Sequence, residues 1–529
     1  MRRLYLVCFF CVVCGIPNIS HSKPIIFNSD GYAVWKAAKG DTRQWINNLF
    51  GPLEGTSVNM LFWNDGAGGN TANYNSEILE LTGERAGNID PALLKAISEG
   101  NDPPVVVIQE AKKRNLRVFY SYRVNDIHDA FIPEELPSFK VEHPDWLLGD
   151  NNGTIYWTAL NFAVPEVVQL KIAIVQEIID KYDFDGLELD FLRSSPYFSP
   201  GTEPQNAHIL TKFVRSIRKM LKDKSIETKK KIELAVRVTE TLEGCYLDGF
   251  DIETWVKEGL IDYLILGSGH IADVREFKNI VKGMPVKIIP CVYAYAFNGI
   301  REPDGVPHSP IEIYRGQVAT HFRQGADGEY FFNFFPHTKT GSCLNLACYQ
   351  ENWDPNDPGL QQKFLYEPSS LKSLAEKDMI FAARAGWPLG ELPARDYPHN
   401  GLINDLPLHI ESGVGKINSF KIYLPYNLKQ YRKYIASVVL AARVSSLNDT
   451  EAVSFFINGK YIGQRIEDEL FPYFWGAFGP TMPEEEEIPE WLSIPIKVKD
   501  LKIGDNTISV IPTEQVDLLN LELHIIYKK

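Results

Sequence analysis

Between Pro24 and about Phe335, eight apolar strand-like segments alternate with amphipathic helices, and this constrains the chain more than anything else in it. Parallel strands need long crossovers, which helices supply. Eight such units close into a barrel. The strands read as Pro24–Tyr32, Val58–Trp63, Leu116–Asn125, Gly186–Phe191, Ile232–Val238, Tyr263–Leu266, Val286–Tyr295 and Glu329–Phe335. Helices are expected at Pro91–Glu99, Val105–Arg114, Val164–Tyr182, His208–Lys222, Ile252–Glu258, Val274–Val281 and Ile311–Arg323. Val164–Tyr182 is the clearest, with Val167, Ile172, Ile174, Val175, Ile178 and Ile179 on its apolar face. An open doubly wound sheet is the rival, but no Gly-rich phosphate loop follows the first strand.

The rest of the chain changes character. At 529 residues it is too long for one core. Gly341–Pro368 is rich in Asn, Asp, Pro and Gly and reads as loop. Leu371–Ala385 reads as a helix returning to the barrel, with Gly386 placed to end it. From about Pro407 the apolar period becomes two. Strands are expected at Lys416–Tyr423, Ala436–Arg443, Ala452–Ile457, Leu492–Val498, Thr507–Ile511 and Leu521–Tyr527, with hairpin-type turns at Asn458-Gly459 and Gly504-Asp505. The expected architecture is α/β: a (β/α)8 TIM-type barrel over 23–392, a linker over 393–406 and an all-β sandwich over 407–529.

Residues 1–22 read as a secretory signal, with Arg2 and Arg3 before a short apolar core, Leu4–Val13, and Ser20 and Ser22 before a cleavage point near Lys23. That core is too short to span a bilayer, and no later run is long and apolar enough to do so. The expected location is secreted or periplasmic. Lipid attachment at Cys14 is a secondary reading, weakened by Val13 before it. Of seven cysteines, Cys245, Cys291, Cys343 and Cys348 would remain in the mature chain. Cys343 and Cys348 are close enough in a loop to pair in an oxidising compartment, whereas Cys291 reads as a buried thiol. No Cys/His spacing suggests a metal site, and no cofactor is expected. The formal net charge is −14, without a basic stripe, which argues against a nucleic-acid partner.

The candidate chemistry lies at strand ends. In Gly186–Phe191, Glu188 and Asp190 are two positions apart, so they share a face of a buried strand. Two desolvated like charges are costly unless something uses them, and the C-terminal ends of barrel strands are where catalytic groups sit. Asp190 is the candidate nucleophile or base and Glu188 the acid or an orienting group. The bland reading pairs one of them with Arg237 or Arg193. Tyr122-Arg123-Val124-Asn125-Asp126-Ile127-His128 puts Arg123, Asn125, Asp126 and His128 at the exit of the third strand, suited to sugar hydroxyls. Arg193, Arg237, Tyr293, Glu302 and Asn333 complete the candidate substrate-binding set, with Glu240 a reserve acid. Trp63, Trp146 and Trp157 are possible stacking platforms. Carboxylates, arginines and aromatics at a barrel mouth suit glycoside hydrolysis, which uses two carboxyl groups. Acids at i and i+2 on one strand stand close together, so a partner from Glu240, Glu302 or Asp126 remains open.

The strand Asp185-Gly186-Leu187-Glu188-Leu189-Asp190-Phe191 resembles the D-G-x-D-x-D-x-E strand of chitinase-type barrels. Leu192 stands where that family has its catalytic acid, so chitinase activity is not carried over. A closer resemblance is to the secreted family-10-like glycosyl hydrolases. It rests on Tyr122–Asp126, His143-Pro144-Asp145-Trp146-Leu147-Leu148, Tyr182–Phe191 and Gly325-Ala326-Asp327-Gly328-Glu329-Tyr330. The resemblance implies a barrel and a glycosidase acting in polysaccharide breakdown, on a poly- or oligosaccharide. The alternative is a non-catalytic glycan-binding protein on the same scaffold.

Overall fold

The computed structural model describes residues 23–149, 155–193, 196–267, 271–294, 300–301, 307–308, 310–339, 347–383, 405–406, 408–411, 417–445, 453–463 and 490–529. The expected leader, Glu302, His270, Tyr295, Cys343 and Gly386 lie outside them.

Eight parallel strands close into a barrel: β1 Ile25–Asp30, β2 Met60–Asn64, β3 Arg117–Arg123, β4 Gly186–Asp190, β5 Glu233–Val238, β6 Tyr263–Leu266, β7 Lys287–Tyr293 and β8 Glu329–Phe332. Even the four-residue β6 pairs on both sides, with β5 and β7. The outward rows, such as Leu187 and Leu189, are buried under the helix layer. The helix Pro165–Lys181 takes proline in its first turn, where no intrahelical N–H is lost. The helix Glu203–Thr228 is longer at both ends than its apolar stripe, because Lys, Glu and Gln extend a helix without needing burial. Two helices between β1 and β2, Gly31–Ala38 and Thr42–Phe50, were not expected from the sequence.

The barrel interior is filled in layers. At the bottom Arg117 pairs with Glu233, and the Tyr263 hydroxyl donates to Glu233 at 3.0 Å. Above them Phe62 stacks on Phe119, with ring centroids 4.5 Å apart. The next layer holds Glu188 with Ser121 and Tyr330. The top layer carries Asp30, Arg123, Asp190 and Arg237.

The second unit is antiparallel throughout. One sheet runs β9 (Met379–Ala382), β17 (Val516–Tyr527), β12 (Ile435–Ser445), β15 (Glu490–Pro495), and β10 (Leu408–Ile410) also pairs with β17. The other runs β11 (Asn418–Leu424), β16 (Gly504–Pro512), β13 (Val453–Ile457), β14 (Lys460–Gly463). Two expectations need correction. The helix expected over Leu371–Ala385 is a single turn, Leu371–Leu374, closed by a Ser370/Ser373 capping box. The chain then extends as β9 and pairs Met379–Ala382 with Ile525–Glu522. Gly504-Asp505 is not a hairpin turn either: Gly504 is the first residue of β16 and pairs with Leu424. Asn458-Gly459 does turn a hairpin between β13 and β14, with φ of 51° and 79°, as a type I′ turn demands.

The two units pack closely. The helix Ile311–Gln324 lies against β9, and a Cβ on Gly316 would come within 1.9 Å of the Ile380 carbonyl oxygen. Arg275 bridges Asp273 and Asp505 and lies 5.0 Å from the Tyr423 ring centroid. Cys245 and Cys291 are buried free thiols, and Cys348 is in a disulfide. Among the described residues no helix is long and apolar enough to cross a membrane.

Candidate active site

Strand register builds the centre of the site. Arg123 lies opposite Asp190 across β3 and β4, and Asp190 opposite Arg237 across β4 and β5. Three neighbouring strands therefore carry charge at their C-terminal ends. Arg237 grips Asp190 with two parallel bonds, Nε to Oδ1 at 2.9 Å and Nη2 to Oδ2 at 2.7 Å. Leu192 N donates to Oδ1 at 3.0 Å. This bidentate geometry fixes the carboxylate plane. Arg237 is fully buried and Asp190 is 2% exposed. The Phe332 ring lies 3.9 Å from the Arg237 guanidinium and covers it.

Glu188 is one layer deeper and fully buried. Its Oε2 accepts from Ser121 at 2.5 Å and from Tyr330 at 2.9 Å, and its Oε1 has no hydrogen-bond partner among the described residues. Burial, with Asp190 adding to it, raises the Glu188 carboxyl above the ordinary range. Glu188 therefore shares the face of Asp190, as expected, but lies beneath it, inside the barrel, and does not open into the mouth with it.

A second cluster stands beside the first. Arg123 bonds Asp30 at 3.0 Å and Asp126 at 3.4 Å. Asp126 accepts from His128 Nδ1 at 2.6 Å, and Arg193 Nε lies 3.7 Å from it. Arg193 Nη2 meets His128 Nε2 at 2.9 Å. An arginine can only donate, so Nε2 accepts and Nδ1 carries the proton given to Asp126. Burial alone would raise both Asp126 and Asp30, but His128 and the arginines outweigh it and hold both below the ordinary carboxylate range. The side chains of His128 and Arg193 remain 43% and 20% exposed, so the cluster opens to solvent.

The other expected residues take different places. Asn125 spends its amide on the backbone of Leu160 and Pro196 and anchors the loop after β3. Tyr293 packs on Phe332, and Asn333 donates to the Tyr293 hydroxyl at 3.5 Å. Glu240 is buried against Gly267 beyond β5. Trp63 is core, Trp146 stacks on His143, and Trp157 is exposed.

Sequence reasoning missed four residues here. Asp30, at the end of β1, supplies the second acid on Arg123. Tyr32 and Tyr349 meet edge to face at 6.0 Å beside it. Glu135 stands in the single turn Pro133–Glu135, which packs against the turn carrying His128. The signal for Asp30 was its place at a strand end; Glu135 had none, because it lies in the irregular segment after β3.

Residues 29–216 match the family model described as glycosyl hydrolase-like 10. That segment is therefore similar to the glycosyl hydrolase-like family, in line with the resemblance that the motifs carry. The matched segment carries Asp30, Arg123, Asp126, His128, Asp190 and Arg193, whereas Arg237, Tyr293 and Asn333 follow it. No curated protein matches the chain. Among solved structures, the chain is similar to a cycloisomaltooligosaccharide glucanotransferase of Paenibacillus sp. at 10% identity and TM-score 0.32. That alignment covers 94% of this chain and 57% of the glucanotransferase. It is similar to the PgaB (BpsB) glycoside hydrolase domain of Bordetella bronchiseptica at 12% identity and TM-score 0.42, over 66% of this chain and 99% of that domain. A Group IV chitinase of Ostrinia furnacalis aligns at 11% identity and TM-score 0.37, over 65% and 97%.

Proposed function

We propose that the chain is a secreted glycoside hydrolase that takes a poly- or oligosaccharide at the C-terminal mouth of its barrel. Asp190 is the nucleophile or base. The observation that carries this reading is the bidentate Arg237–Asp190 pair at the end of β4, in the barrel that holds the glycosyl hydrolase-like segment. An arginine held this way fixes the plane of the carboxylate and aims it, as the positioned carboxyl groups of glycoside hydrolysis require. Asp190 Oδ2 takes one of the bonds, so lone-pair capacity remains on it. His128, Arg193 and Asp126 are the polar groups for sugar hydroxyls, and Tyr32 and Tyr349 offer aromatic surface beside them.

A second reading, glycan binding without cleavage, has its own support. All three Arg237 and Leu192 bonds to Asp190 are already formed, and Leu192 occupies the position of the chitinase acid. One experiment separates the two. The purified chain is incubated with a polysaccharide panel and scored for new reducing ends. Hydrolysis that falls at least about a thousandfold in Asp190→Asn, with unchanged thermal unfolding, supports the enzyme. Retention on a polysaccharide without any reducing ends supports the binder. Equal hydrolysis by Asp190→Asn and the parent rejects the assignment of Asp190.

A further inference from the structure

Glycoside hydrolysis needs a proton donor for the leaving oxygen as well as an ionised carboxylate. Glu188 cannot reach a substrate from beneath Asp190. Asp30 and Asp126 are held ionised by the arginines. Glu135 has neither constraint. It is partly buried at the rim, one turn from His128 and three residues from the exposed Ile132. Among the described residues its carboxylate takes part in no hydrogen bond or ion pair, which is unusual for a partly buried acid beside a charged cluster. The titratable and charged groups around it are His128, Asp126, Asp129 and Arg123, and Lys36 from the helix after β1.

We propose that Glu135 is the general acid of the reaction, a catalytic residue supplied by the loop after β3 rather than by a strand. The inference rests on the hydrolase reading above. The Glu135 O–H proton passes to the glycosidic oxygen as the bond from that oxygen to the anomeric carbon breaks. The bonding electron pair stays on the leaving oxygen. Where Asp190 is the nucleophile, it bonds to the anomeric carbon as the first bond breaks, and water then displaces it, giving its hydroxyl to that carbon and its proton to Glu135. Where Asp190 is the base, water attacks directly and its proton goes to Asp190. The electrostatics support the role: burial raises the Glu135 carboxyl, Asp126 and Asp129 add to the rise, and His128 and Arg123 oppose it.

The test uses the full chain, its Glu135→Gln variant, polysaccharides that the parent cleaves, and 4-nitrophenyl glycosides of the same sugars. Glu135→Gln should cut turnover on the polysaccharide at least about a hundredfold. It should cost far less on the nitrophenyl glycosides, whose leaving group needs no proton. The parent should lose activity as pH rises through the raised Glu135 value, and the variant should lack that alkaline limb. Equal losses on both substrates, or an unchanged alkaline limb, overturn the assignment while leaving the hydrolase reading intact. A parent that releases no reducing ends from any polysaccharide overturns both.

Discussion

Asp190 and Arg237 depend on each other, since each is buried and charged. Removing one partner of such a pair leaves the other uncompensated, at a cost of about 3–5 kcal/mol. Arg237→Met should therefore lower the stability measured by urea unfolding by that amount. A loss under about 1 kcal/mol would mean that the Asp190 carboxylate finds water once Arg237 is gone. At the other end of the barrel, Glu329 is fully buried against His321, with the two groups 3.1 Å apart. Burial pushes its carboxyl up to about 7, against the pull of His321 and Lys23. In an unfolded chain a glutamate titrates near about 4.3. The raised folded value means that the contribution of Glu329 to stability is fully present below the unfolded value and is lost as pH rises to about 7. Glu329→Gln has no such proton to lose. Its melting temperature relative to the parent should rise across that window and level off above it; a constant difference at every pH would count against this. Residue identities at strand ends were legible in the sequence, and parity correctly put Glu188 and Asp190 on one face. Depth along the strand was not legible, and it separates a mouth residue from one sealed a layer below. Nor could the sequence bring Glu135 to His128, because that contact depends on short turns in an irregular loop.

Among the elements, the barrel strands were the most legible, since buried parallel strands are short apolar runs set between helices. All eight form where the alternation placed them. The strand β9 was the failure, for a physical reason. Leu371, Leu374, Met379 and Phe381 are spaced acceptably for a helical face, and nothing local contradicts a helix. The decision comes from Glu522–Ile525, far along the chain, whose open edge the segment completes. Gly186, in contrast, is fixed by its neighbours. It starts β4 facing the barrel interior, and a Cβ there would lie 2.2 Å from the Phe119 ring and 2.6 Å from the Glu233 carbonyl oxygen. Gly186→Ala should cost at least about 1–3 kcal/mol by overpacking. The loss should be smaller in a Phe119→Leu background, where the ring is gone; equal losses in both backgrounds would remove Phe119 as the cause.

For the whole molecule, the second unit does not begin at the change of period. A fragment over 407–529 contains β10 but not β9, so β17 would keep part of one edge bare. Bare edges invite association. A fragment over 375–529 should unfold more cooperatively and stay monomeric at higher concentration than 407–529, measured by urea titration and light scattering. Equal behaviour would show that β9 is dispensable. In the intact chain the order of synthesis matters as well. β9 leaves the ribosome roughly 140 residues before its partner, at speeds that leave it waiting on the order of ten seconds. Early in that interval Met379, Ile380 and Phe381 have the helix Ile311–Gln324 to lie against, and later β11 as well. The strand β17, Val516–Tyr527, therefore acts as a completion signal: a ribosome that stalls before Val516 releases a product whose barrel can close but whose second unit lacks its central strand, which is the state a quality-control protease would find first.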